Sequence, residues 1–172
     1  KEIKKNISRK TKAIFLMNAN GRYPLDFKEI VSFCKENNLI LLEDSAQALG
    51  SFYPDGIHQG RKGIAGSFSF SAPKIISTGQ GGAIITDNDE IAFNISRLKD
   101  FGRSGGGNDM HEVIGFNSKF TDLQAVIGNV QMGKLEWRMN RMKEIYSLYK
   151  RSISQTSKVK FFDQDLDNTT PW

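Results

Sequence analysis

The chain has 172 residues, 38% hydrophobic and 25% charged, which suits one globular domain with a real core. Its formal net charge of +5 is weighted towards the basic edge Lys1–Lys12 and elsewhere interspersed with acids, the pattern of a solvated surface and not of a nucleic-acid module. No apolar run reaches the length of a membrane span, and Cys34 has no second cysteine to pair with, so the expected setting is reducing and cytoplasmic; with only His58 and His111 beside it, no metal site is expected either.

Taken in chain order, the segments alternate between strand and helix patterns, which predicts an α/β layer fold with a mainly parallel sheet flanked by helices. Ala13–Met17 is wholly apolar, as in a strand buried on both faces. Asp26, with Glu29 three residues on, has the form of a capping box opening a helix whose apolar face carries Phe27, Ile30, Val31 and Cys34. Leu39–Leu42 reads as the next buried strand, ending at Glu43-Asp44. Ser67–Ser71 alternates serine with Phe68 and Phe70, a strand with two unlike faces. Gly82–Thr86 is a further strand, and Asp87 with Glu90 starts a helix whose buried face is predicted to hold Ile91, Ala92, Ile95 and Leu98. Gly102–Asp109 is glycine-rich and reads as a mobile loop. Thr121 and Gln124 form a second capping-box pattern, with Leu123, Val126, Ile127 and Val130 lining that helix; helical character continues through Ile145, Leu148 and Tyr149, with a break near Leu135.

Two residues carry the chemistry. Ligands of open α/β sheets sit beyond the carboxyl ends of the strands, and Asp44 ends an apolar strand there. Alone, such an aspartate is an ordinary turn residue or helix cap; as a functional group it is a counter-ion for a cationic ligand atom such as a protonated pyridine nitrogen. Lys74 follows the Ser67–Ser71 segment, with Pro73 restricting the chain beside it and Gly79, Gly81 and Gly82 permitting tight turns after it. A surface lysine is the plain reading. A lysine held in a partly desolvated pocket is instead a nucleophile towards an aldehyde. The glycines fit neither the Walker spacing nor the dinucleotide fingerprint.

Three stretches, EDSAQALGS (Glu43–Ser51), GSFSFSAPKIISTGQGGAIITDND (Gly66–Asp89) and IGFNSKFTDLQAVIGNVQMGKL (Ile114–Leu135), together resemble the DegT/DnrJ/EryC1/StrS family of sugar-nucleotide aminotransferases. The resemblance covers nearly the whole chain. It implies the large domain of an aspartate-aminotransferase-type enzyme that uses pyridoxal 5′-phosphate. By the same resemblance, Asp44 faces the pyridinium nitrogen of the cofactor, Ala46 packs on its ring and Gln47 contacts the ring and its hydroxyl. Ser69 binds the cofactor phosphate, Lys74 is the Schiff-base lysine, and Asn117 reaches the phosphate in a neighbouring subunit's site. The last of these implies a homodimer with shared active sites. The implied reaction is a ping-pong transfer of an amino group from glutamate to a nucleotide-linked keto-sugar, with Lys74 as general base and acid. The segment His111–Asn117 looks most like perosamine synthases, which implies C4 of a GDP-linked 4-keto-6-deoxyhexose and a role in surface polysaccharide or deoxysugar synthesis.

Three positions depart from the family pattern: Gln80 stands for a common Glu, Ser71 for His or an aromatic, and Lys119 for Arg, keeping the charge without the planar fork. Sugar dehydratases of the same family carry His where this chain has Lys74, which argues against dehydration; retention of both Asp44 and Lys74 argues against a purely regulatory binding protein. The expected organisation is part of the cofactor-binding domain over 1–135, then a connecting helix and the start of a smaller domain over 136–172. A chain beginning with Lys and ending in Thr170-Pro171-Trp172 reads as a fragment.

Overall fold

Short apolar segments separated by turns can bury their side chains only by pairing into a sheet, and pairing of four of them organises this chain. A computed structural model describes residues 2–105, 109–154 and 158–171. The elements are α1 (Glu2–Asn6), β1 (Ala13–Met17), α2 (Phe27–Glu36), β2 (Ile40–Asp44), β3 (Ala65–Ser69), β4 (Gly82–Ile85), α3 (Asp89–Lys99), α4 (Asp122–Met132) and α5 (Leu135–Ser154). The strands form one sheet in the order β1-β2-β3-β4; β1, β2 and β3 run parallel and β4 antiparallel to β3. This is the expected α/β fold with a mainly parallel sheet.

The strand register separates two faces, because successive side chains point to opposite sides. Ile14, Leu16, Leu41, Glu43, Gly66 and Phe68 share one face; Met17, Asp44, Ser67 and Ile84 form a cross-strand row on the other. The first face is covered. Ile30 and Cys34 of α2 bury Leu41, and Ile3, Ile14, Leu16, Val31 and Leu39 close around them. Cys34 is therefore a core residue, as its helical spacing predicts.

The second face is open, which corrects the expectation of a doubly buried first strand. Phe15 and Met17 are each 61% exposed and Ile84 53%. β1 is an edge strand of the described sheet. Composition alone cannot distinguish an apolar strand buried on both faces from one that presents an apolar face outward.

Helix ends give a mixed result. Thr121 and Gln124 form the predicted capping box, the Thr121 hydroxyl accepting from Gln124 N at 3.3 Å and the Gln124 side-chain Oε1 accepting from Thr121 N at 3.0 Å. Asp26 precedes α2 but makes no side-chain cap bond. Its backbone (φ −96°, ψ 29°) is already wound into a turn, where Phe27 N donates to Pro24 O, and a cap needs extended geometry. α3 starts one residue later than predicted: Asn88, not Asp87, caps it by accepting from Ile91 N at 2.9 Å, while Asp87 pairs with Arg61. The third strand is also displaced, spanning Ala65–Ser69 and not Ser67–Ser71. The Ser69 hydroxyl accepts from Ser71 N at 3.3 Å and bends the chain out of the ladder.

The largest departure concerns which way helices face. Ile91 and Ile95 of α3 are half-buried, but Ala92 and Leu98 are exposed. In α4 the predicted lining residues point outward, with Leu123 80% and Val126 63% exposed and Ile127 and Val130 also exposed. The inward side of α4 is Gln124, Ala125 and Gly128, small or polar residues that lie close to the Thr78–Gln80 turn. The break near Leu135 is present, at Gly133 and Lys134 between α4 and α5. Of the predicted Gly102–Asp109 loop, residues 106–108 lie outside the described residues; Gly102 itself takes φ +82° and its carbonyl accepts from Glu112 N.

Candidate functional site

The site is built at the carboxyl ends of β2 and β3. Asp44 pairs in register with Ser67, and Ser45 N donates to Ser67 O at 2.9 Å, so the two strand ends advance together. Asp44, Ser67 and Ser69 fall on the open face of the sheet by alternation. Asp44 is half-buried; one of its oxygens, Oδ1, accepts from Ala46 N at 3.0 Å, and among the described residues no cation stands within ion-pair distance of it. Gln47 Oε1 accepts from Asn20 N at 2.9 Å.

From Ser69 the chain enters the turn that carries Lys74. The hydroxyls of Ser69 and Ser71 lie 3.1 Å apart, Lys74 N donates to Ser71 O at 3.0 Å, and Thr78 N donates to Phe70 O at 2.9 Å. Gly79 and Gly81, with φ of +80° and +136°, supply the left-handed residues that reverse the chain into β4. A side chain at Gly81 would also meet the Phe120 ring at 2.5 Å. α5 braces the turn from outside, Arg138 donating to Ile75 O at 2.8 Å. Lys74 lines a cleft of about 520 Å³ with Ile75, Trp137, Arg138 and Met142. Asp44, Ala46, Gln47 and Ser69 are not part of that cleft wall.

The structure thus brings Asp44, Ala46, Ser69 and the Lys74 turn to one end of the sheet. Asn117 stands apart, exposed and bridged to Asp100 on the segment before α4. Lys119 and Arg103 both donate to Asp100 Oδ1, at 2.6 and 2.7 Å, and these bonds hold the Asp100 carboxyl below the usual carboxylate range.

Behind the strand ends lies a buried polar cluster that the sequence pattern does not announce. Glu43, 1% exposed, accepts from Asn18 Nδ2 at 3.0 Å, the Tyr53 hydroxyl at 2.6 Å, Gly60 N and Gly63 N at 2.8 Å each, and Lys62 N. Burial, with the Glu43 bond second, pushes the Tyr53 hydroxyl far above its ordinary pKa, so it stays a donor. Asn18 Nδ2 also donates to Ser45 Oγ at 3.0 Å. His58 flanks the cluster as a neutral ring, its Nε2 accepting from Gly50 N at 2.9 Å and its Nδ1 donating to Gln59 O at 2.6 Å; burial pushes its pKa down. The one clue in the sequence is parity: Glu43 and Asp44 are adjacent in a strand, so only one of them can face the open side.

Chemically, a half-buried carboxylate with no cation beside it among the described residues, one strand away from a hydroxyl and an amine-bearing turn, suits a planar cation with an anionic arm. Pyridoxal 5′-phosphate is a group of that kind.

Comparison with known proteins agrees in one direction. The model of the DegT/DnrJ/EryC1/StrS aminotransferase family matches residues 1–170. The chain is 33% identical over 168 residues to the GDP-perosamine synthase of Escherichia coli O157:H7, covering 98% of this chain and 46% of that one. It is 29% identical over 153 residues to the GDP-perosamine synthase of Vibrio cholerae, covering 89% and 41%. The crystal structure of the aminotransferase TlmJ from Streptoalloteichus hindustanus superposes with a TM-score of 0.86 at 29% identity, over 98% of this chain and 46% of that one. The chain spans less than half the length of each of these relatives.

Proposed function

The chain belongs to the DegT/DnrJ/EryC1/StrS aminotransferase family, and from that premise we propose that the protein is a pyridoxal-phosphate-dependent aminotransferase moving an amino group from glutamate to a nucleotide-linked keto-sugar. The favoured acceptor position is C4 of a GDP-linked 4-keto-6-deoxyhexose. That choice is supported by the likeness to enzymes named GDP-perosamine synthase. The observation that carries the chemistry is Asp44, a half-buried carboxylate on the open sheet face with no cation of its own among the described residues.

When bound, the cofactor supplies an aldehyde that captures amines and a protonated ring that accepts carbanion charge. Asp44 would keep the proton on the ring nitrogen by pairing with it. Ala46 would pack on the ring, Gln47 would contact the ring and its hydroxyl, and Ser69 would donate its hydroxyl to the phosphate. Lys74 would supply the amine that holds the cofactor and the base that moves the proton at the donor's α-carbon. Asn117 serves the phosphate of a second subunit, in keeping with its exposure away from Asp44, so the working unit is a homodimer. Residues 1–135 form part of the cofactor-binding domain, and 136–172 the connecting helix and the start of a smaller one. Among the described residues no helix is long and apolar enough to cross a membrane, which fits the cytoplasmic setting proposed.

Glutamate and a panel of nucleoside-diphosphate 4-keto-6-deoxyhexoses test the reading. Amination of at least one is expected, with borohydride treatment adding the mass of the reduced cofactor at Lys74. A protein that stays colourless with added pyridoxal phosphate and aminates none of the panel is not this enzyme.

A further inference from the structure

Asp44 is useful to a cofactor only if its side chain stays on the open face at a fixed height, yet its own side chain makes one short-range bond, to Ala46 N. Its neighbours in sequence are far more constrained. A single nitrogen, Asn18 Nδ2, donates to Glu43 Oε2 and to Ser45 Oγ, each at 3.0 Å, and these are the residues on either side of Asp44. The backbone N–H of Asn18 donates to Asp44 O at 2.9 Å, extending the β1–β2 ladder by one rung. Asn18, Ser45 and Glu43 are buried to the last per cent or so, at 0%, 0% and 1% exposure. One residue at the end of β1 therefore grips three consecutive residues at the end of β2.

Glu43 anchors that grip to the rest of the domain. Its Oε2 takes Asn18, Tyr53 and Gly60 and its Oε1 takes Gly63 and Lys62, so the carboxylate cannot turn without stranding buried donors. Gly66 keeps the arrangement close-packed: a Cβ there would collide with the backbone of Gly60. Because side chains alternate along a strand, fixing 43 and 45 inward fixes 44 outward.

We propose that Asn18 is a positioning residue for Asp44, clamping Glu43 and Ser45 on the buried face so that the Asp44 carboxylate is held towards the ring nitrogen of the cofactor. The proposal rests on the reading of Asp44 given above, and the experiment separates the two. Wild type, Asn18→Ala, Ser45→Ala and Asp44→Asn are prepared as the whole protein. Each is titrated with pyridoxal phosphate by absorbance, and the pH midpoint of the visible band is measured on the loaded, folded protein. Asp44→Asn should shift the midpoint and weaken binding. Asn18→Ala should shift the midpoint in the same direction by a smaller amount and weaken binding about tenfold, the scale of one lost hydrogen bond. Ser45→Ala removes one grip and leaves the Glu43 bonds, so it should give a smaller shift of the same sign and stands in if Asn18→Ala does not fold. A lower melting temperature with the wild-type midpoint, in whichever of the two clamp variants folds, overturns the proposal and leaves Asn18 a purely structural residue. If Asp44→Asn itself moves neither midpoint nor affinity, the reading of Asp44 fails and the clamp has nothing to position.

Discussion

At the scale of single residues, buried polar groups decide more than exposed charges do. His58 is held neutral between Gly50 N and Gln59 O, and burial pushes its pKa below that of a free histidine. The unfolded chain therefore binds a proton before the folded one does as pH falls. Stability should be flat for this group above about pH 6.5 and should fall as the pH drops from there towards the lowered folded value. Urea unfolding at about pH 7.5 and about pH 5, on wild type and His58→Gln, reads this out. An acid-side slope of equal size in both proteins excludes His58 as its source. Exposed pairs such as Arg61–Asp87 and Arg141–Glu144 contribute little by comparison, being solvated on both sides.

At the scale of elements, α4 shows what periodicity reveals and what it leaves out. Its capping box and start are legible in Thr121 and Gln124, because caps are local chemistry, and its break before α5 is legible near Leu135. The spacing of Leu123, Val126, Ile127 and Val130 marks an apolar face equally well, but that face points away from the rest of the described chain. On the proposed homodimer this is a surface that needs a partner, and Val126→Glu should convert dimer to monomer in sedimentation velocity with the far-ultraviolet circular dichroism unchanged. A dimer that persists puts the subunit contact elsewhere. The parallel strands were legible for the same reason as the caps: β1, β2 and β3 are short apolar or alternating runs that end at turns. Asp44, Ser69 and Lys74 were legible as candidates from their motif, and their places at the strand ends follow from the topology. Asn18 was not, since its partners Glu43 and Ser45 are 25 and 27 residues away and nothing in the segment Met17-Asn18-Ala19 marks it as buried. Pairings of that range emerge only when strands take their register.

At the scale of the whole molecule, residues 165–170 tie the far end of the chain back to its beginning. Tyr23 donates to Asp165 Oδ2 at 2.8 Å, Phe52 N to Asn168 O at 2.8 Å, and Thr170 N to Ser51 Oγ at 2.9 Å. Burial, and then the Asp165 bond, push the Tyr23 hydroxyl up to about 12, so it remains a donor throughout the working pH range. Tyr23→Phe should cost about 1–2 kcal/mol, the low end for a bond to a charged group because both side chains are only half-buried. Limited proteolysis should then cut near residue 160 earlier than in wild type; an unchanged cleavage rate means the backbone ties suffice alone. The reversal of β4 has a mechanical consequence at this same scale. Since β4 returns beside the strand it left, the segment bearing Lys74 is the tip of a hairpin, anchored at both feet in neighbouring rungs of one sheet. On the role proposed for Lys74, a nucleophile mounted that way would break and remake its covalent tether turn after turn while its base stays put, with no need for the surrounding chain to open and refold.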